Sequence, residues 1–420
     1  MELEICCAAM SARVPGQEDF DQQERTFRLE MLRALPAGFI DTAATSFVIF
    51  FAIQVFDMHW AVKAAMLAAS SAGQLFSLFI VQIARRLGRP VNILAACIWL
   101  FSFMGFAVAS MSGKNAIIYF VGCLIAFICL GMSAPLTAQI YRKHYASDKR
   151  GRLFSITSLI RAGAAGAFSW FIGSWLKSRG NDFSILFWGY AAACLMMAGC
   201  VMFMAPVALR QSVRLKWFDA FRHVSEDAPF RKLLIVWMVF GFGNLVSLAL
   251  FVEYITNPLY GYSYGPKNVG LITGTVPMLA FIVFVVPWGM VFDRLPFYTV
   301  RALVNVFFIL GILIFYLGSG FMALCIGIAL HGIARSGGEI IWNLWVTKFA
   351  NSDKVVEYMS VHAFLTGARG VVAPFIAFMI SAYASPTWVA WISAVLILIS
   401  TLTIFPEIME ENRRKKELES

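Results

Sequence analysis

Long apolar stretches alternate with short polar or basic breaks along almost the whole chain. A hydrocarbon core of about 30 Å needs about 20 mostly apolar residues per helical span, and windows of that length can be placed twelve times. Their approximate ranges are 36–56, 61–83, 92–112, 115–140, 154–176, 183–207, 232–256, 269–291, 302–319, 321–347, 358–382 and 387–406. They are too long, and too poor in alternating polar positions, for the roughly ten-residue strands of a membrane β-barrel. The pattern predicts an all-α membrane protein with twelve transmembrane helices.

Composition strengthens this prediction and says little about chemistry. Hydrophobic residues make up 60% of the chain and charged residues 14%, whereas soluble domains have about 45–50% and about 25%. Residues 1–35 are polar, so we expect no cleavable signal peptide and insertion directed by the first span. The cysteines show neither a disulfide framework nor a zinc spacing, and we expect no metal and no cofactor. Cys6 and Cys7 are either acylated or an unmodified pair in the tail.

The positions of Lys and Arg predict the orientation. Nearly all of the 34 basic residues fall in one alternating set of segments, and the opposite face has only Lys63, Lys114, Lys177, Arg179 and Lys267. Because basic residues in short loops stay in the cytoplasm, we expect both termini to be cytoplasmic, in an inner (plasma) membrane. The net charge of +10 then reflects topology and contact with anionic membrane lipid, and we expect no nucleic acid as a partner.

Two similar halves can be recognised within the chain. Lys143, Ser147, Asp148, Lys149 and Ser155 recur as Lys348, Ser352, Asp353, Lys354 and Ser360, and Gly163 and Gly166 recur as Gly367 and Gly370. We therefore expect two pseudo-symmetric six-helix bundles with a binding site between them near the membrane midplane. The expected organisation is a cytoplasmic tail (1–35), a first bundle (36–207), a cytoplasmic central loop (208–231), a second bundle (232–406) and a cytoplasmic tail (407–420).

The stretch Gly289-Met-Val-Phe-Asp293-Arg294 resembles the G-x-x-x-D-R signature of major facilitator superfamily transporters. The first-half copy retains Arg86, Gly88 and Arg89, but it has Val81 and Arg85 at the Gly and Asp positions. The resemblance implies that helices 1, 4, 7 and 10 surround a cavity, that helices 2, 5, 8 and 11 line the interface, and that helices 3, 6, 9 and 12 lie outermost. It also implies a cytoplasmic gate at Arg86, Gly88, Arg89, Gly289, Asp293 and Arg294.

Span 321–347 carries the most informative polar pattern. His331, Arg335, Glu339 and Asn343 recur every four residues, so they drift by only about 40° per step and form one stripe on a helix. Because charges inside membrane spans are costly, such a stripe faces polar protein or water. It either lines the substrate cavity, or it packs the bundle through an Arg335–Glu339 ion pair.

Other candidate side chains lie on four further spans. Asp41 and Thr45 are on the first span, Arg161 on the fifth, Asn244 and Glu253 on the seventh, and Arg369 on the eleventh. Asp41 either carries a proton during transport or pairs with a basic loop. The two arginines either bind an anionic group of the substrate or bridge helices, for instance Arg369 to Glu339. Asn244 and Glu253 are expected along the external half of the path.

We therefore predict a secondary active transporter for a small solute, working by alternating access, and no enzyme. Proton coupling is a hypothesis based on Asp41, Glu253 and Glu339, and no Walker-type phosphate loop is present to bind ATP. The alternatives are a transporter-fold sensor or binding protein and a membrane-embedded lipid-modifying enzyme. We expect a small-molecule substrate, protons and lipid as partners, and a monomer. Substrate identity and direction do not follow from the sequence.

Overall fold

The computed structural model contains twelve long helices, α1 to α12, in the part of the chain that it describes. The described residues are 17–145, 150–179, 182–208, 221–349 and 355–419. Helix α1 comprises Gln17–Thr42, a π-helical turn at Ala43–Phe47, and Val48–Gln54. The other helices of the first half are α2 (Trp60–Leu87), α3 (Val91–Ser110), α4 (Ala116–His144), α5 (Arg150–Arg179) and α6 (Ser184–Phe203).

The second half has the same number of long helices. Helix α7 comprises Ala228–Ala249 and Phe251–Thr256, and α8 comprises Pro266–Val269, a π-helical segment at Gly270–Thr275, and Val276–Arg294. They are followed by α9 (Phe297–Leu317), α10 (Gly320–Phe349), α11 (Val355–Tyr383), α12 (Pro386–Thr403) and a polar helix α13 (Phe405–Glu419). Short helices at Arg222–Glu226 and Pro258–Tyr260 lie in the connections.

Local sequence explains where several helices begin and end. The Asn115 side chain accepts hydrogen bonds from the backbone N–H groups of Ile117 and Ile118 and so caps α4, and Asp227 caps α7 in the same way through Phe230. Asn and Asp are favoured there because their oxygens satisfy N–H groups that have no partner within the helix. Gly88 ends α2 with a φ of 58°, a left-handed conformation that glycine adopts without a Cβ clash.

The predicted fold class is confirmed. Ten of the described helices are long and apolar enough to cross a membrane, and α2 and α5 complete the set of twelve. Both of these helices pack against helices of the other half. Helix α1 begins at Gln17, well before the apolar window at 36–56, because a hydropathy window cannot detect a polar helical extension. Residues 209–220 of the predicted central loop lie outside the described residues, and the rest includes the short helix Arg222–Glu226 and the start of α7.

Close packing within the first half depends on glycines at helix crossings. A Cβ built on Gly131 of α4 would lie 1.9 Å from the carbonyl oxygen of Ser70 on α2, and one on Gly73 would lie 2.1 Å from the oxygen of Ile128. Both glycines belong to one crossing at which the two backbones touch. Small residues allow this approach in membrane helices, where van der Waals packing is a main source of helix association.

The two halves meet through the helices that the resemblance implied. Helix α5 packs against α8, and α2 packs against α11, whereas α3, α6, α9 and α12 pack mainly within their own halves. We call the end of the bundle where α1 begins and α12 ends the tail side. There, Arg25 Nε donates to the carbonyl oxygen of Phe203 (2.8 Å), and Lys232 forms an ion pair with Glu407. The opposite end is the far side.

Candidate functional site

A cavity of about 500 Å³, here called the central cavity, lies between the two halves. Helices α1, α2, α7, α8, α10 and α11 contribute most of its wall, and its lining is largely apolar, with Phe251 and Phe308 among the large side chains. Its polar residues are Asp41, Thr45, Ser70, Ser71, Asn244, Thr273, His331 and Arg335. This volume is within the range of about 300–1,000 Å³ that small-molecule sites occupy.

A second cavity of about 480 Å³, the tail-side cavity, adjoins the first. Asp41, Met278 and Arg335 line both, so these residues mark the junction. The tail-side cavity is also lined by Glu30 and Arg33, which lie toward the beginning of α1, whereas Asp41 lies deeper along the helix. The path from the central cavity therefore leads toward the tail side.

Asp41 and Arg161 form a bidentate ion pair between α1 and α5. Arg161 Nε donates to Asp41 Oδ2 and Nη2 donates to Oδ1, both at 2.6 Å. The Arg161 side chain is 51% exposed and the Asp41 side chain 23%, so the pair borders the cavity. Thr45 Oγ1 donates to the Asp41 carbonyl oxygen at 2.9 Å. The sequence placed both charges inside spans but did not pair them, because they come from helices 120 residues apart.

The stripe on α10 borders both cavities over its described side chains. His331 lies beside the central cavity, and its Nε2–H donates to Asn244 Oδ1 at 3.1 Å. Arg335 lines both cavities, and Glu339 lines the tail-side cavity near Arg161. The alternative Arg335–Glu339 ion pair is not formed. The side chain of Asn343 lies outside the described residues.

A second ion pair, missed by the sequence, lies in the tail-side cavity. Arg33 donates to both oxygens of Glu30, through Nε at 2.7 Å and Nη2 at 2.5 Å, and Nη2 also donates to the Tyr141 hydroxyl oxygen at 2.9 Å. Glu30 and Arg33 were assigned to a cytoplasmic tail. Their spacing of three residues, which puts them on one helical face, was the available signal that α1 continues toward the N-terminus.

The far side is closed by a buried ion pair between the halves, which we call the far-side bridge. Lys63 Nζ of α2 donates to both oxygens of Glu253 of α7, each at 2.7 Å, and the two side chains are only 8% and 4% exposed. Asn257 Nδ2 donates to Glu253 Oε1 at 2.9 Å. Glu253 therefore lies in the closure beyond the cavity, and Lys63, assigned to an outer loop by the sequence, is its partner.

The two π-helical segments, Ala43–Phe47 of α1 and Gly270–Thr275 of α8, contact each other across the two halves. Ser46 Oγ of α1 and Thr273 Oγ1 of α8 are hydrogen bonded at 2.8 Å. A Cβ on Gly270 would lie 2.3 Å from the Ser169 carbonyl oxygen of α5, so the halves touch through backbone there. Widened turns of this kind occur frequently at functional sites.

Arg369 lies apart from the residues that line the two cavities. Its Nη1 donates to the carbonyl oxygen of Trp237 on α7 at 2.5 Å, and a Cβ on Gly241 would lie 2.0 Å from the same nitrogen. It therefore packs within the second half and does not pair with Glu339. The buried Arg301 of α9 lies nearby, with its guanidinium carbon 3.8 Å from the centroid of the Trp237 ring.

The residues of the expected gate lie at the tail-side ends of α2 and α8. Arg86 and Arg89 are exposed on either side of Gly88. Asp293 and Arg294 are exposed at the end of α8, where Gly289 precedes them by one helical turn. Asp293 forms no ion pair with a described residue.

Comparison with known proteins agrees with this geometry. The sequence model of the Major Facilitator Superfamily matches residues 246–420. No curated protein matches the sequence significantly. The fold is similar to that of the D-xylose-proton symporter, at a TM-score of 0.69 and 15% identity over 91% of this chain and 97% of that chain.

The chain has the major facilitator fold. The nucleoside transporter NupG matches at a TM-score of 0.67 and 14% identity, covering 93% of this chain and 98% of that chain. A bacterial homologue of the human lysosomal transporter Spinster, in an inward-facing and unoccupied conformation, matches at 0.65 and 14%, covering 93% and 98%. The resemblance drawn from the G-x-x-x-D-R stretch is confirmed, and the major facilitator layout accounts for a cavity between the two halves.

Proposed function

We propose that this protein is a secondary active transporter that moves a small solute across a membrane by alternating access. The observation that supports this most directly is a charged cavity between two six-helix halves that leads to one side and is closed on the other by the far-side bridge. Rocking of the halves about such a site exposes it to each side in turn. With both termini in the cytoplasm, as the distribution of Lys and Arg favours, the structure is open to the cytoplasm.

Alternating access is tested by distances between spin labels on opposite halves. Val55 and Leu259 are exposed at the far side, and Leu87 and Met290 are exposed toward the tail side. In a cysteine-free background with labels at one pair or the other, we expect each pair to show two distance populations in lipid. Conditions that lengthen the Val55–Leu259 distance should shorten the Leu87–Met290 distance. A single fixed distance at both pairs in every condition would rule out the mechanism.

We further propose that Asp41 couples transport to protons. Its carboxylate borders the cavity and holds Arg161 through both oxygens, so its protonation removes the charge that fixes Arg161. We do not assign this role to Glu253, because it is buried in the far-side bridge and lines neither cavity.

Replacement of Asp41 by Asn separates coupling from solute movement. The solute is first identified by thermal stabilisation of the purified protein, since a ligand at about 100 times its dissociation constant stabilises by about 2.7 kcal/mol. We then expect proteoliposomes with Asp41→Asn to lose accumulation of this solute driven by a pH gradient. Exchange of labelled for unlabelled solute should continue. Asp182→Asn, at an exposed helix cap, is the matched control. Gradient-driven accumulation by Asp41→Asn at the wild-type level would refute this role.

A further inference from the structure

Arg335 differs from the other charged side chains around the two cavities in its hydrogen bonding. Both oxygens of Asp41 are occupied by Arg161, and both oxygens of Glu30 are occupied by Arg33. Arg335 is exposed at the junction of the cavities and forms no hydrogen bond or ion pair with any described residue. Its nearest aromatic contact is Phe281, with 5.9 Å between the guanidinium carbon and the ring centroid.

The neutral polar groups of the central cavity are mostly satisfied within the protein. Thr45 donates to Asp41, and Thr273 donates to the carbonyl oxygen of Val269 at 2.8 Å and contacts Ser46. Asn244 uses its side-chain oxygen to accept from His331. Among the described residues, few polar groups of the lining are therefore left for a ligand, and only Arg335 among them carries a charge. They are the Asn244 amide N–H₂, the Arg335 guanidinium and the hydroxyls of Ser70 and Ser71.

A lining of this kind does not suit a polyhydroxylated solute. Each buried hydroxyl of a sugar is both a donor and an acceptor, and it costs free energy wherever it finds no partner. The central cavity offers few free polar groups and a wall of side chains such as Met66, Phe127, Phe251 and Phe308. A ligand that accepts hydrogen bonds at one end and is apolar elsewhere would leave no group unsatisfied.

The anionic end is best matched by a single carboxylate. Guanidinium binds carboxylate in a planar, bidentate geometry, and such charge-assisted hydrogen bonds are about twice as strong as neutral ones. A second negative charge would find no free cation in the described lining of the central cavity. The cavity volume of about 500 Å³ accommodates an apolar body of the size of a substituted phenyl ring.

We propose that the solute is an amphiphilic monocarboxylate, held at Arg335 by its carboxylate and packed in the central cavity by its apolar body. This proposal rests on the proposed transport function and names its substrate class. It differs from the solutes for which the similar proteins are named, D-xylose and nucleosides.

Binding of two isosteric probes tests the proposal. Wild-type protein in neutral detergent is titrated with 4-phenylbutyrate and with 4-phenylbutyramide, which differ in charge and hardly in size. We expect the carboxylate to bind at least ten times more tightly. Arg335→Gln should abolish that preference, and Arg179→Gln, at an exposed site on the far-side end of α5, should preserve it. Equal binding of the two probes to the wild type, or an unchanged preference in Arg335→Gln, would overturn the proposal.

Two further variants keep the test informative if Arg335→Gln does not fold. Arg335→Lys retains the charge and loses the planar pair of donors, so we expect weaker carboxylate binding with the preference over the amide retained. Arg335→Glu should reverse selectivity toward the cationic probe 4-phenylbutylamine. Loss of preference in the lysine variant, or continued preference for the carboxylate in the glutamate variant, would contradict the assignment.

The failure of this proposal is distinguishable from failure of the transport function. Opposed movements of the two spin-label pairs without selective carboxylate binding would remove the substrate class and leave alternating access. Carboxylate binding that depends on Arg335 in a protein whose label distances never change would retain the site and remove transport.

Discussion

Replacing Glu253 by Gln is expected to open the far side of the protein. The substitution leaves the ammonium group of Lys63, 8% exposed, without its partner, and removal of one member of a buried ion pair costs about 3–5 kcal/mol. This cost destabilises only the conformation in which the far side is closed, because the far-side bridge is formed only there. A shift of that size changes an equilibrium by a factor of about a hundred or more, so the population with a long Val55–Leu259 distance should become dominant.

Two matched variants control this experiment. Glu226→Gln removes an ion pair with Arg222 in which both side chains are exposed. Exposed pairs contribute about 0–1 kcal/mol, so the Val55–Leu259 distance should not change. The double variant Lys63→Glu with Glu253→Lys restores opposite charges and should return the distance toward that of the wild type. A folded Glu253→Gln protein with the wild-type distance distribution would show that the bridge does not hold the far side closed.

Substitution of Gly131 by Ala is expected to cause a large loss of stability. The added Cβ would lie 1.9 Å from the Ser70 carbonyl oxygen, so α2 and α4 must move apart. Overpacking in a close-packed interior costs about 1–3 kcal/mol or more. We expect a clear fall in the temperature at which the detergent-solubilised protein loses its monodisperse peak in size-exclusion chromatography.

For Gly199→Ala, in the same half, we expect no loss of stability. A Cβ on Gly199 of α6 meets no atom within 4 Å, and alanine favours a helix over glycine by about 1 kcal/mol. The melting temperature of this variant should be equal to or higher than that of the wild type. If the two alanine variants melt at the same temperature, the α2–α4 crossing is not as tight as the structure indicates.

The fold could be predicted because it depends on properties that are local in sequence. Twelve apolar windows predicted the helix count, the internal repeat predicted the two halves, and the resemblance at Gly289 to Arg294 implied the interface helices. The extension of α1 back to Gln17 was not predicted, because residues 17–35 are polar and a hydropathy window detects only the need to avoid water.

The site could be predicted only in part. The repeat of four residues on α10 predicted one polar face, because i,i+4 neighbours are fixed by helix geometry, and His331, Arg335 and Glu339 line the cavities in the structure. The pairing of Asp41 with Arg161 and of Lys63 with Glu253 depends on how helices far apart in sequence cross, and no local pattern encodes it. The partner of Arg369 could not be predicted either, because it is a backbone carbonyl oxygen, a group that every residue has.

The π-helical segments at Ala43–Phe47 and Gly270–Thr275 affect how this chain should be aligned with relatives. Each bulge inserts about one residue into an otherwise α-helical span, which rotates everything beyond it by about 100°. A relative without the bulge therefore matches α1 only if a one-residue gap is opened inside a membrane span, a place where alignment methods penalise gaps heavily. An ungapped alignment that places Asp41 correctly will shift Gln54 onto the wrong face, and the reverse also holds.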